Sequence, residues 1–229
     1  MKTISQNIIL IIFAIFILTG CSISQKNEHN IEDKIVQEIE YLEDSIFNIT
    51  NRYAKGEYIK NEKLDWTVIL EDEKKINNVL ETIILDFSEL DISNDEIIKL
   101  SNELNSLLLA TSSENEIEFL QRLNNLYALL PNYLKSIQNS EVEVKDKELK
   151  SMVLAGFSLA STENWDESKR IIQEAINKYN EMMNNVDYMQ KNSYKLNKTY
   201  ILLGELKNAI DIESIDLVKL KFVNFIEKV

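Results

Sequence analysis

Residues that interrupt helices are scarce in this chain, with only 4 Gly and 1 Pro among 229 residues. β-Sandwiches and barrels depend on many tight turns, which need Gly, Pro or Asn-Gly at special dihedral angles. α/β folds usually place Gly in the loops between strands and helices. Leu, Glu, Lys and Ile are abundant instead, a composition typical of long helices. We therefore predict an all-α fold; the alternative is a β-protein rich in Ile and Asn.

Apolar residues recur every three or four positions from residue 31 onward, which is the spacing of one helix face. In the first segment, from Ile31 to Tyr53, we expect the opposite face to carry Glu32, Asp33, Lys34, Glu40, Glu43 and Asp44. Ser93, followed by Glu96, matches a capping box at the start of the third helix. Short polar turns separate about eight such segments. This pattern predicts antiparallel helical hairpins that form a bundle or a short α-solenoid.

Two features interrupt the helical pattern. Pro131 lies inside the fourth segment and should kink or end that helix, because proline lacks a backbone donor and clashes with the preceding turn. Residues 138–147 are charged and contain Ser and Asn, so we predict a linker there and a possible boundary between two lobes. Residues 31–229 otherwise suit one fairly large domain or two small ones.

The first thirty residues have the features of an export signal. Lys2 supplies a positive charge, and an unbroken apolar run follows from Ile8 to Leu18. That run is too short to span a bilayer comfortably but has the length of a signal core. It ends in Leu18-Thr19-Gly20-Cys21, which resembles the lipobox of bacterial lipoproteins. The alternative is an uncleaved anchor in which Cys21 occurs by chance.

The lipobox resemblance implies three steps at named residues. Cys21 would receive a diacylglyceryl group on sulfur, and a signal peptidase would cut between Gly20 and Cys21. Cys21 would then carry two or more acyl chains, such as palmitate, which is enough for stable membrane attachment. Residues 1–20 are accordingly the predicted signal peptide, 21–30 a flexible tether and 31–229 the helical domain. We expect this domain at the extracytoplasmic face of the cell membrane.

The hairpin Leu149–Tyr179 resembles a degenerate tetratricopeptide unit. Gly156 stands where that family has a small residue for close helix contact, and Trp165 opens the second helix at the usual aromatic position. The small, bulky, small pattern of the family follows at Ser168, Ile172 and Ala175. True units repeat every 34 residues, whereas the internal echoes here are about fifty apart.

Two pairs of similar segments, each about fifty residues apart, make up this weak internal repeat. Gly204 follows Gly156 in a similar context, Tyr-Ile-Leu-Leu-Gly after Met-Val-Leu-Ala-Gly, and Leu109-Ala110 precedes a polar turn as Leu159-Ala160 does. They favour a stack or bundle of αα-hairpins. As a whole, the chain also resembles uncharacterised helical lipoproteins, which implies no mechanism.

Charge and residue types exclude several function classes. The net charge is −13, and removal of residues 1–20, which include one Lys and no acid, would leave −14. Such a surface repels nucleic-acid phosphates. The single His, His29, lies in the predicted tether, which argues against Ser-His-Asp, Cys-His and His-based zinc or di-iron sites. No P-loop or dinucleotide-binding motif occurs. We predict no catalytic residue, cofactor or metal.

Two groups of side chains have two possible roles each, in a binding site or in the ordinary fold. Acidic residues at Glu71-Asp72-Glu73, and at Asp91 with Asp95 and Glu96, could attract Ca²⁺, but no calcium-loop pattern is present and solvated helix faces are the simpler interpretation. Four aromatic residues could line a groove, although their helical register favours the core; they are Trp66, Trp165, Tyr133 and Tyr179.

The sequence supports three hypotheses about function. The first is a non-enzymatic binding or scaffolding lipoprotein that engages a protein or peptide partner at the cell envelope. The second is a receptor for a small ligand or cation. The third is a cell-wall hydrolase that uses paired carboxylates, for which two acids about 5–10 Å apart in a cleft would be needed.

Overall fold

The computed structural model describes residues 31–56, 64–89, 92–137 and 141–229. These residues form eight helical segments and include no β-strand, so the all-α prediction is confirmed. The first segment, α1, covers residues 31–56. The others are α2 Trp66–Glu89, α3 Asn94–Ser112, α4 Glu116–Ile137, α5 Glu141–Ser161, α6 Trp165–Met183, α7 Val186–Asp211 and α8 Ile215–Ile226.

Three hairpins, α3–α4, α5–α6 and α7–α8, turn in the same way. Each turn holds a glutamate in the left-handed region, namely Glu114, Glu163 and Glu213, with φ of 53°, 59° and 56°. In each turn, the backbone N–H of the glutamate and that of the following residue donate to carbonyls of the preceding helix, for example Asn164 N to Leu159 O at 2.9 Å. This is a Schellman ending, which usually has Gly at the left-handed position. The glutamates lie about fifty residues apart, so the turns carry the internal repeat.

Close packing within the α5–α6 hairpin depends on Gly156. A Cβ added there would lie 2.5 Å from Ile172 Cδ1, and the buried Ser168 hydroxyl donates to the Gly156 carbonyl at 2.8 Å. The predicted small-residue contact is therefore confirmed. Gly204 is not its counterpart, because it lies nine residues before its turn glutamate and Gly156 lies seven. A Cβ on Gly204 would meet nothing within 4 Å.

Helix α1 contacts helices from the middle of the chain and a residue near its end. Its Phe47 ring lies 5.1 Å from the ring of Tyr127 on α4, and its Tyr53 ring packs edge-on against Phe157 of α5. Near its C-terminal end, Lys55 forms an ion pair with Glu227, just beyond α8. Buried apolar residues from all eight helical segments join in one cluster. The helix closest in sequence to the predicted tether is thus part of the core.

Some sequence predictions about the helices are wrong and others are confirmed. Of the two outcomes expected at Pro131, a kink or an end of the helix, the end is wrong: α4 continues to Ile137, with Pro131 itself buried in the core. Residues 141–147, predicted to be linker, form the first two turns of α5; residues 138–140 lie outside the described residues. The Ser93 cap is confirmed, because its hydroxyl accepts from Glu96 N. Among the described helices, none combines the length and apolar character that a membrane crossing requires.

Candidate functional site

A buried carboxylate on α1 is the centre of the candidate site. Sequence periodicity placed Glu43 on the solvent face, which is wrong: the residue is 4% exposed. Its Oε1 accepts a hydrogen bond from the Tyr127 hydroxyl at 2.8 Å and pairs with Lys150 Nζ at 2.9 Å. Its Oε2 pairs with Lys147 Nζ. Two ammonium groups and one phenol therefore satisfy both oxygens, as a buried carboxylate requires.

The lysines of this cluster come from the second and third turns of α5 and are themselves nearly buried. The side chains of Lys147 and Lys150 are 12% and 13% exposed. Burial and the neighbouring Lys150 ammonium lower the pKa of Lys147 to about 8, so Lys147 still carries its charge at neutral pH. Burial raises the pKa of Tyr127 well above its usual value, which keeps that hydroxyl a donor. We call Glu43, Tyr127, Lys147 and Lys150 the Glu43 cluster.

A second carboxylate extends the network toward α7. Asp146 forms ion pairs with Lys150 Nζ at 3.2 Å and with Lys195 Nζ at 3.6 Å. Tyr188, near the start of α7, has its pKa raised to about 12 by burial and by the negative charge of Asp146. These contacts join α1, α5 and α7 by charge-assisted interactions.

An open cleft of 620 Å³ lies where α1, α5 and α7 meet, and we call it the central cleft. Its lining carries ammonium groups, carboxylates, amides and a phenol, and it includes Glu40, Glu143, Asp146, Lys147, Lys150, Asn185, Tyr188, Asn192 and Lys195. A smaller cleft of 270 Å³, formed with the end of α8, shares Glu40, Lys147 and Lys150 with it. The Glu43 cluster therefore lies between two polar recesses.

The lining has the chemistry of a binding surface. Amide and ammonium groups donate, carboxylates accept, and Asn side chains do both. Across residues 31–56, 64–89, 92–137 and 141–229, no group of three or more His, Cys, Asp or Glu is arranged to hold a metal ion.

Comparison of the chain with protein-family models, with curated protein sequences and with solved structures finds no match. The tetratricopeptide likeness therefore stays a resemblance that rests on Gly156, Trp165 and the residues spaced after them. The predicted lipid-attachment residue Cys21 and the cleavage residue Gly20 lie outside the described residues, as does the single histidine.

The structure separates the acidic residues that sequence placed together. Asp72 pairs with Arg52 of α1 at 3.1 Å, whereas Glu73 is fully buried and accepts from the Thr111 hydroxyl of α3. In the second group, Asp91 is outside the described part of the chain, and Asp95 and Glu96 lie in the first turn of α3.

The four aromatic residues belong to the core, as their register predicts. Tyr133 and Tyr179 are buried, and each hydroxyl donates to a backbone carbonyl, of Glu96 at 2.9 Å and of Leu196 at 3.1 Å. Trp66 and Trp165 are partly buried and pack against the main cluster.

Sequence reasoning missed the Glu43 cluster, although one signal was present. Ile39, Glu43, Ile46 and Thr50 follow each other at spacings of four, three and four, so Glu43 lies on the buried stripe of α1. A charged residue on such a stripe needs a buried partner. Nothing local identifies that partner, because Lys147 and Lys150 are more than a hundred residues away.

Proposed function

We propose that this protein is a lipid-anchored, extracytoplasmic binding protein that engages a peptide segment of an envelope protein in the central cleft. The observation that carries the proposal is the lining of that cleft, which offers charges of both signs beside amide groups. A peptide presents the matching set: backbone donors and acceptors, and charged side chains or termini. The anchor at Cys21 is the part of the proposal that rests on sequence alone.

The position of the cleft supports this choice. It opens between helices whose relative placement is held by the Glu43 cluster, and rigid elements hold binding groups more accurately than loops do. Its lining also includes the apolar side chains of Val36, Ile39 and Leu134; Ile39 and Leu134 are already buried in the core, so Val36 is the one that a partner can cover further. Peptide sites typically combine such an apolar base with polar groups that fix orientation.

Site-directed photo-crosslinking in intact cells tests the proposal. A photoreactive amino acid replaces Lys195, which lines the cleft, and in a matched strain it replaces Lys99, an exposed lysine on α3. We expect an adduct at position 195 that maps to one segment of one envelope protein, and none at position 99. Equal labelling at both positions, or no specific adduct at 195, would contradict the proposal.

A small polar ligand is the second candidate, and the size of the cleft favours it. At 620 Å³ the central cleft falls within the range of about 300–1,000 Å³ that small-molecule sites occupy. Thermal melting of the full-length protein with free amino acids and with short mixed peptides separates the two candidates. A shift with amino acids that Lys195→Ala removes supports the small ligand, whereas a shift with peptides alone supports the first candidate.

The proposed anchor has its own test. In cells grown with a labelled fatty acid, we expect the wild-type chain to carry label and Cys21→Ala to carry none, because the alanine variant has no sulfur to acylate. The alanine variant should accumulate as precursor or be released. Ser22→Ala, one residue further on, is the matched control and should label normally. Label retained in Cys21→Ala would refute the anchor without affecting the cleft.

A further inference from the structure

One face of α7 carries large apolar side chains that nothing in the described chain covers. Six residues follow each other at helical spacing and define the α7 seam: Tyr194, Lys198, Ile201, Glu205, Asn208 and Ile212. Tyr194 is 80% exposed, Ile201 60% and Ile212, which caps the helix, 65%. The seam spans eighteen helical steps from Tyr194 to Ile212, or about 27 Å at the helical rise. Three large exposed apolar side chains alternate with Lys198, Glu205 and Asn208 along this face, the mixed composition of an interaction surface rather than of a core.

The equivalent face of α5 behaves differently. Positions counted back from the turn glutamates match Tyr194 with Val144, Ile201 with Ser151 and Asn208 with Ser158. Val144 and Ser158 are buried and Ser151 is half-buried. The first helix of one hairpin therefore has this face covered inside the molecule, whereas the first helix of the next hairpin has it open. In stacked hairpins such a face normally contacts another helical unit.

Gly204 borders the seam at its midpoint, and no close contact with the described residues requires a glycine there. It is in the middle of α7, where only proline has a lower helix propensity, and a Cβ there would lie in open space. No packing contact among the described residues offsets the low helix propensity of Gly204. A glycine at the crossing point of two helices lets their backbones approach closely.

Charge indicates which occupant fits. Helix α7 carries four lysines and three acids, a net charge of +1, in a chain of −13. Two copies that meet through α7 therefore bring together one of the least acidic parts of each. In an antiparallel arrangement about a two-fold axis near residue 203, Tyr194 faces Ile212 of the second copy at each end of the seam. Lys198 lies within one turn of the second copy's Glu205, which also pairs with Lys221 of its own chain at 2.9 Å. The seam therefore matches apolar groups at its two ends and opposite charges nearer its centre.

We propose that the α7 seam is the interface of a two-fold dimer in which α7 packs antiparallel against α7 of a second copy, with Gly204 beside the crossing point. The proposal is independent of the central cleft, whose α7 residues Tyr188, Asn192 and Lys195 lie nearer the start of the helix. If both chains are anchored in one membrane, their high local concentration favours the pairing.

Disulfide trapping on membranes of cells that make the full-length chain tests the proposal. Ile201→Cys places a thiol near the proposed axis, and Leu109→Cys on α3 replaces an equally exposed apolar residue, 71% accessible, outside the seam. The wild-type chain reports any crosslink through Cys21. We expect a disulfide-linked dimer of Ile201→Cys alone. A dimer that forms equally through position 109, or none through 201, would overturn the proposal.

Gly204→Leu separates the interface from the fold. The leucine side chain enters open space in the single chain, so its melting temperature as a monomer should stay the same or rise. At the crossing point it prevents close approach, and the dissociation constant of the dimer in detergent should rise by about tenfold or more. Sedimentation velocity measures both species. A wild-type chain that sediments only as a monomer, or a Gly204→Leu variant that dimerises as wild type does, would contradict a second copy as the occupant.

Discussion

Two buried glutamates in this protein lie in opposite electrostatic environments. Glu43 on α1 and Glu73 on α2 are 4% and 0% exposed. Glu43 has two ammonium groups and a phenol as partners. Glu73 has the Thr111 hydroxyl on one oxygen, while its Oε2 has no hydrogen-bond partner. Burial consequently raises the pKa of Glu73 to about 7.

The difference shows that burial alone does not decide the charge of a carboxyl group. At neutral pH the ammonium groups beside Glu43 favour its ionised form, and the network joins α1 to α5. Glu73 loses hydration without gaining a counter-charge, so it is about half protonated near pH 7. We therefore expect Glu43 to act as a fixed structural charge and Glu73 to make the stability of the fold depend on pH.

The largest expected effect is the loss of Glu43. Glu43→Ala leaves the ammonium groups of Lys147 and Lys150 nearly buried without their shared carboxylate, so we expect the free energy of unfolding to fall by about 3–5 kcal/mol. Urea denaturation at pH 7 measures it. Glu71→Ala, at an exposed position on α2, is the control and should change stability by no more than about 0.5 kcal/mol.

A loss as small as that of the control would mean that the Glu43 cluster is not a structural network. Replacement of Glu43, Lys147 and Lys150 together by Met sharpens the result. Because the cost of Glu43→Ala arises from the unpaired lysines, the triple variant should recover much of the lost stability.

The second expected effect, that of Glu73→Gln, is a gain in stability whose size depends on pH. The carboxyl of Glu73 ionises near pH 4.5 in the unfolded chain but near 7 in the fold. Between these values the folded state binds more protons, so stability falls as pH rises. Glu73→Gln removes this slope, and we expect the variant to match wild type near pH 4.5 and to be more stable by about 1–3 kcal/mol at pH 8.

Denaturation midpoints measured from pH 4.5 to 8 check this prediction. Glu71→Gln, at an exposed position two residues away, is the control and should leave the slope unchanged. If the Glu73→Gln and wild-type curves run parallel, Glu73 is ionised throughout, and the contrast between the two glutamates disappears.

Periodicity and composition predicted most of the fold but little of the candidate site. The all-α class, the Ser93 cap and the core positions of Tyr133 and Tyr179 depend on local spacing, which a sequence displays directly. The turns after α3 and α5 were predicted from their polar residues, but the geometry that they share with the α7–α8 turn was visible only as a faint repeat. Their left-handed residue is Glu rather than Gly, so the usual signal was missing.

The errors share a physical cause, which is that partners distant in sequence decide the outcome. Residues 141–147 were predicted as linker because they are charged, yet Lys147 pairs with Glu43 and its side chain is nearly buried. Pro131 was expected to kink or end α4, yet the helix does not end there and continues to Ile137, with Pro131 packed in the core. Glu73 was grouped with Asp72 by adjacency, although neighbours in a helix point in different directions.

The smallest expected losses of stability come from removing the hydroxyl group that bonds to each glutamate. The two losses should differ in how they depend on pH. Tyr127→Phe leaves Glu43 with both lysines, so we expect a loss of about 1 kcal/mol that is constant between pH 5 and 8, because the pKa of Tyr127 lies well above that range. Thr111→Val keeps the side-chain shape but leaves the buried Glu73 carboxylate without its donor. The pKa of Glu73 should then rise further, since the Thr111 hydrogen bond lowers it in the wild type. The loss in Thr111→Val should consequently grow as pH rises through 7, when the unsupported carboxylate must ionise. Two losses with the same pH profile would mean that both carboxyl groups hold the same charge and that the lysines beside Glu43 make no difference to its ionisation.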